Sequence, residues 1–118
     1  MSDKPIAERL QVKKERRLAL VDVPIAIEAP SAPLGEAEVV VQFVRNRAEF
    51  DSKIPPLLKA IRADAIVWIA YPKLTSKLAG DLSRDVIHRE SPALGIDCVS
   101  QIALDEDWSA MRMKRVYP

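Results

Sequence analysis

The sequence is poorest in the residues that build metal and cofactor sites. It has one cysteine, Cys98, and one histidine, His88, in 118 residues. A lone cysteine excludes an internal disulfide. With no signal peptide read at the amino terminus, it points to a reducing, cytoplasmic setting. One histidine far in sequence from the one cysteine leaves no zinc ligand set. The three glycines, Gly35, Gly80 and Gly95, lie apart. The connection VPIAIEAPSAPLG therefore lacks the glycine-rich turn that lets backbone approach a dinucleotide or adenosyl cofactor, and no cofactor is expected. Neither sign of charge dominates. Eighteen basic and seventeen acidic residues leave +1, so no global field draws in nucleic acid or an acidic membrane. No apolar run approaches the roughly 20 residues of a membrane-spanning helix.

What remains is an ordinary globular composition, 48% hydrophobic and 30% charged. It fits a charged N-terminal arm (1–17) and a single α/β domain (18–118). Pro5 suits the first turn of a short helix that places Ile6 and Leu10 on one face. Lys13–Arg17 concentrates positive charge without an aromatic residue among it, so it reads as a solvated lead-in rather than a nucleic-acid arm.

The domain opens with a strand at Leu18–Val23, ended by Pro24. A proline-rich connection to Gly35 follows, with a weak second strand at Ile25–Ile27. Glu38–Val44 is β-branched and apolar enough for burial on both faces, as in a parallel sheet under helices. Over Arg47–Ala63, Phe50, Ile54, Leu57, Leu58 and Ile61 form one helical stripe. Pro55 and Pro56 interrupt it, which predicts a short turn of helix, a kink, and a second segment opening with Pro56. Ala65–Tyr71 is the central strand and Gly80–Ser91 a helix, capped by Asp81 or Ser83 and stopped by Pro92 and Gly95. Ile96–Leu104 and Trp108–Val116, joined by Asp105-Glu106-Asp107, read as an antiparallel hairpin. Cys98 alternates with Ile96 and Ile102 on one face of it; Met111 and Met113 share a side of the last strand. The order predicts a three-layer α/β fold, a mostly parallel sheet of about five strands closed by the antiparallel hairpin.

Ligands in open α/β sheets bind outside the carboxyl ends of the strands. This directs attention to the loop after the central strand, YPKLTSKLAG. Lys73 and Lys77 bring positive charge, Thr75 and Ser76 hydroxyls, and the next helix its free N–H groups, a setting for a small anion. Tyr71, Arg84 and Asp85 complete the candidate set. The plainer alternative is a solvated loop that caps its own helix. The GxxxxGK[ST] pattern is absent, so this is not a nucleotide-hydrolysing phosphate loop. Trp68 and Trp108 read as core anchors, and Asp105–Asp107 as a polar turn without calcium-loop spacing. Asp85 and His88 are three residues apart on one helix, but no activated nucleophile completes a catalytic set, so no catalytic residue and no metal ligand is expected.

Several stretches, LALVDVP (18–24), FVRNRAEF (43–50), IVWIAYPK (66–73), DLSRDVIHRE (81–90) and QIALDEDWSAMRMK (101–114), resemble an uncharacterised bacterial family of short α/β proteins, a domain of unknown function. The chain departs from it at Lys14-Glu15, where the family often has Pro-Gly, and at His88, where it often has tryptophan. The resemblance marks Tyr71, Pro72, Lys73, Asp81, Arg84, Asp85, Trp108 and Ser109 as motif positions and implies no chemistry. By fold analogy the pattern is similar to the C-terminal half of an adenosylmethionine-dependent methyltransferase fold without its cofactor-binding half. The expectation is a non-catalytic interaction or small-anion-binding module, with a homodimer through an exposed sheet edge and no membrane partner. The alternative is a small enzyme or enzyme subunit acting on a phosphorylated or carboxylated metabolite.

Overall fold

The computed structural model describes residues 6–10, 12, 16–25, 27 and 29–116. Pro5, most of the 13–17 basic run and Ala26 of the weak second strand lie outside them. The elements are α1 (Ile6–Arg9), β1 (Leu18–Val21), β2 (Val39–Phe43), α2 (Arg47–Ala60), β3 (Ile66–Pro72), α3 (Arg84–Glu90), a 3₁₀ turn (Ser91–Leu94), β4 (Ile96–Ala103) and β5 (Trp108–Arg115).

These strands form one sheet in the order β1-β2-β3-β5-β4. The first three are parallel, with Val39 beside Ile66 and Val41 beside Trp68. β5 runs against both β3 and β4. The two strands on which the sequence reading depends are therefore neighbours pointing the same way. Every residue of β2 is buried, as its unbroken apolar run demands. Alternation splits the core in two. Val40, Val67, Ile69, Tyr71, Met111 and Met113 meet Phe50, Ile54 and Leu57 of α2 and Ile87 of α3. On the other face Val39, Val41, Phe43, Trp68, Trp108 and Ala110 meet Leu10 and Val12 of the N-terminal segment. Each such buried side chain is worth about 1.5–3 kcal/mol, so both faces are needed. The Trp68 indole donates to the Leu10 carbonyl at 2.9 Å, pinning that segment down. Phe43 and Trp108 pack edge to face, their centroids 5.3 Å apart.

The β1–β2 connection solves a parallel crossover without a helix among its described residues. Ile25, Ile27 and Ala29 pack on the Trp68 face, while Ala32 and Leu34 pack on the α2 face. Between them the chain passes round the outer edge of β1, where Leu18 N–H donates to Pro30 O at 2.7 Å and Ala32 N–H to Leu18 O at 3.2 Å. Ser31 makes a single bridge to Leu18, and Ile25 and Ile27 are not in a strand. β1 ends two residues earlier than expected. Asp22 turns the chain with φ 57°, a conformation Asp tolerates, and its carboxylate accepts from Gln42 Nε2 at 3.0 Å and Lys53 Nζ at 2.8 Å.

Two helices differ from their predicted form. α2 is continuous through Pro55 and Pro56, with no second segment. A proline frees the carbonyl four residues back, here those of Asp51 and Ser52. Both residues are exposed, where water can take the place of the lost bonds. At the start of α2 the Asn46 side chain caps the helix by accepting from Glu49 N–H, and the Glu49 carboxylate accepts from the N–H of Arg45, the residue before the cap. α3 is shorter than the predicted 80–91 helix, starting at Arg84 with Ser83 as its cap. Asp81 does not cap it: its carboxylate accepts the Arg47 N–H of α2 at 2.8 Å. Leu82, fully buried, is held in the core ahead of the helix. Gly95 ends the following 3₁₀ turn at φ 79°, the left-handed region glycine favours.

A bulge in β4 changes the hairpin's faces. Cys98 pairs with Met113 but Ser100 with Arg112, leaving Val99 as the extra residue. Ile96 and Cys98 consequently lie on the α2 face and Ile102 on the Trp68 face, not all three together.

Candidate functional site

β3 ends at Pro72, and the chain leaves the sheet as a loop that returns at α3. Lys73 N–H donates to Asp107 O at 2.8 Å and Ser76 Oγ to Asp107 Oδ1 at 2.8 Å, fastening the loop to the hairpin turn. That turn is itself fixed by the Asp105 carboxylate, which accepts from Asp107 N–H and Trp108 N–H. The Asp105 and Asp107 carboxylates are thus occupied in holding the turn and the loop. Among the described residues no group of three or more Cys, His, Asp or Glu is placed to hold a metal.

Between loop, helix start and hairpin lies an open cleft of about 270 Å³. Tyr71, Lys73, Leu74 and Thr75 form one wall, Ser83, Arg84 and Asp85 a second, and Gln101 and Ser109 the floor on β4 and β5. Of the seven candidates, Tyr71, Lys73, Thr75, Arg84 and Asp85 come together here. Ser76 and Lys77 do not line it. Ser76 also accepts from Leu78 N–H, and Lys77 is exposed on the loop away from the cleft lining. His88 is exposed on α3 and does not line the cleft either.

The Tyr71 ring is packed into the core, and its phenol oxygen accepts from Gln101 Nε2 at 2.8 Å. Burial pushes this phenol above its usual pKa of 10.0, against the opposing pull of the Arg84 charge and a bond with Ser109. It is a protonated group at neutral pH, a donor rather than a base. Arg84 Nε lies 3.6 Å from Asp85 Oδ1, both side chains mostly exposed. Such a pair contributes at most about 1 kcal/mol, so the guanidinium is available to another anion. Among the described residues no carboxylate pairs with the Lys73 ammonium. The helix end contributes less than expected, because α3 has only 7 residues and its Val86 N–H is given to Ser83 Oγ. Cys98 is half-buried, and burial pushes its thiol above its ordinary value, keeping it protonated and poorly nucleophilic.

Gln101 and Ser83 are the additions the sequence did not place in the site. Strict alternation from Cys98 puts Gln101 on the opposite face from Cys98. The Val99 bulge brings it round to pair with Met111, on the same face as Tyr71. Ser83 was legible as a cap, and Ser109 as a motif position of the resemblance.

No protein-family model matches the chain, and no curated protein matches it. Among solved structures it is similar to LepI in complex with SAM, at 11% identity and a TM-score of 0.54, covering 93% of this chain and 39% of that one. A variant of LepI with SAH and a substrate analogue gives 10% identity, a TM-score of 0.53 and the same coverage. The mitomycin 7-O-methyltransferase MmcR aligns at 8% identity over 75% of this chain and 34% of its own, with a TM-score of 0.46. This chain therefore spans about two-fifths of LepI's length. The likeness is one of fold: a five-stranded α/β sheet with the topology of the C-terminal half of a Rossmann-like methyltransferase fold.

Proposed function

We propose that this chain is a non-catalytic interaction module that binds a small anion in the cleft between Lys73 and Arg84. The observation that carries the reading is that two cations, neither neutralised by a buried carboxylate, line one cleft with four uncharged polar side chains and a protonated phenol. Charge-assisted hydrogen bonds from such groups are the strong ones in a partly desolvated site. Its position outside the carboxyl end of β3 is where open α/β sheets place ligands. Titration with inorganic phosphate, phenyl phosphate and benzoate, followed by amide chemical shifts, tests it. Lys73→Ala and Arg84→Ala are each expected to weaken the bound anion about tenfold, the equivalent of one lost charged hydrogen bond. Unchanged affinity in both variants sinks the reading.

A second reading, a small enzyme or enzyme subunit acting on a phosphorylated or carboxylated metabolite, draws on one observation. The Asp85 carboxylate and the Tyr71 phenol line the same cleft, a base beside a proton donor. Turnover of a bound metabolite that Asp85→Asn removes while binding survives would decide for it.

The proposal extends to the setting. The outer edge of β1 is bridged at Leu18 by the 30–32 segment, and among the described residues β4 is the edge with no segment paired to its outer side. β4 carries no proline and a single charge, Asp97, so it lacks most of the devices that keep sheet edges apart. Self-association through β4, in the reducing cytoplasm that suits a lone half-buried thiol, is part of the same reading. No helix among the described residues is long and apolar enough to cross a membrane.

A further inference from the structure

The polarity of the cleft hydroxyls goes further than its charge. A hydroxyl has one proton to give and oxygen lone pairs to receive. When a protein donor already occupies the oxygen, the remaining capacity facing outward is biased towards donation. Ser83 Oγ accepts the Val86 N–H at 3.3 Å, and Tyr71 Oη accepts Gln101 Nε2 at 2.8 Å. Lys73 and Arg84 can only donate. Among the cleft's ionisable side chains Asp85 alone is an obligate acceptor, and Arg84 lies against it.

We infer that the cleft is built to receive a phosphate dianion, free or as a monoester, in preference to a carboxylate. A carboxylate spreads one charge over two oxygens in a plane. A phosphate monoester near neutral pH presents about two charges on three tetrahedral acceptor oxygens, the acceptor-rich counterpart of two cations and two donor-biased hydroxyls. The inference rests on the small-anion reading and adds the class of anion to it.

Phenyl phosphate, inorganic phosphate, phenyl sulfate and benzoate separate the two levels. Phenyl phosphate is expected to bind at least about tenfold tighter than phenyl sulfate or benzoate at pH 7.5, since only it carries the second charge. At pH 5, below the second phosphate pKa of about 6, its affinity is expected to fall to that of phenyl sulfate. The sulfate ester keeps one charge throughout and controls for changes in the protein. Inorganic phosphate equal to phenyl phosphate identifies the free ion as ligand, and a tighter ester identifies the monoester; both support the dianion. Benzoate binding as tightly as phenyl phosphate overturns the inference and leaves the small-anion reading standing. Binding of none of the four removes both.

Ser83→Gly provides a variant that removes the hydroxyl donor without adding charge to the cleft. Glycine is accepted at a helix cap almost as readily as serine, but it has no side-chain proton to give. The variant is expected to keep its melting temperature and lose phosphate affinity at least about tenfold. Tyr71→Phe, which removes the phenol proton without adding charge, is expected to act in the same direction. Undiminished phosphate affinity in both variants would overturn the assignment.

Discussion

Glu38 is the residue on which three segments converge. Its carboxylate accepts from the Arg17 backbone N–H at 2.8 Å, from Arg17 Nη2 at 2.9 Å and from Arg62 Nη1 at 2.8 Å. It thereby ties the entry to β1 and the segment after α2 to the entry of β2. The Arg17 side-chain bonds, then its backbone N–H, hold this carboxyl at about 2 instead of 4.5. A carboxylate with a depressed folded pKa stabilises the fold at every pH above its unfolded value. The contribution is lost as pH falls through the interval between the two values. Glu38→Gln is therefore expected to lower the melting temperature at pH 7 by a few degrees. The deficit should begin to close below pH 4.5 and vanish near pH 2. A deficit independent of pH in a thermal-melt series would mean that shape, not charge, carries the contact. The same scale explains what could be read of the site. Lys73, Thr75, Arg84 and Asp85 follow from a strand end, a polar loop and a helix start, all local features. Ser76 looks identical by that standard, yet its hydroxyl belongs to Asp107, 31 residues away, a partner no local pattern announces.

At the level of elements, the chain's rules were readable where propensity acts alone and misread where tertiary packing outweighs it. The apolar stripe of α2 was plain, and Phe50, Ile54 and Leu57 are its buried face. The break expected at Pro55-Pro56 is absent because the stripe is anchored on both sides of it and the freed carbonyls belong to exposed residues. That difference can be measured. Were Pro56 the first residue of a separate segment, its missing N–H would cost nothing, and Pro56→Ala would be neutral or slightly destabilising. Inside a continuous helix, proline costs about 3 kcal/mol, offset by about 1 kcal/mol through its restriction of the unfolded chain. Pro56 is exposed, so no packing changes with it. Pro56→Ala is expected to raise stability by about 1–2 kcal/mol in urea denaturation; no gain would restore the kinked reading. α3 failed in the opposite way. Its predicted first turn, Gly80–Ser83, has good capping residues, but Asp81 is drawn to the start of α2 and Leu82 to the core. The β4 bulge has no sequence signal at all, since Val99 is as good a strand residue as its neighbours, and it alone decides that Gln101 meets Tyr71.

For the whole molecule, parallel pairing of β1, β2 and β3 with a reversed β5 was legible from the order of elements. The arrangement of its edges was not. Both terminal strands looked equally open in sequence, and only the path of residues 30–32 across β1 distinguishes them. That path leaves one side of the sheet available for growth. An antiparallel β4–β4 pair about a two-fold axis would join two five-stranded sheets into one. The exposed Val99, 49% accessible at the bulge, would be carried to the centre of such a seam. The bulge twists the strand and limits how many backbone bonds the seam can make, so the association is expected to be weak, in the micromolar range or above. Sedimentation velocity over a hundredfold concentration range should then show a monomer–dimer equilibrium. Val99→Lys sets a cation on each side of the axis and should hold the chain monomeric with its melting temperature unchanged, since Val99 is surplus to the β4–β5 register. A dimer that survives Val99→Lys uses another surface. A wild-type chain still monomeric at the highest concentration means that the bulge by itself is enough to protect the edge.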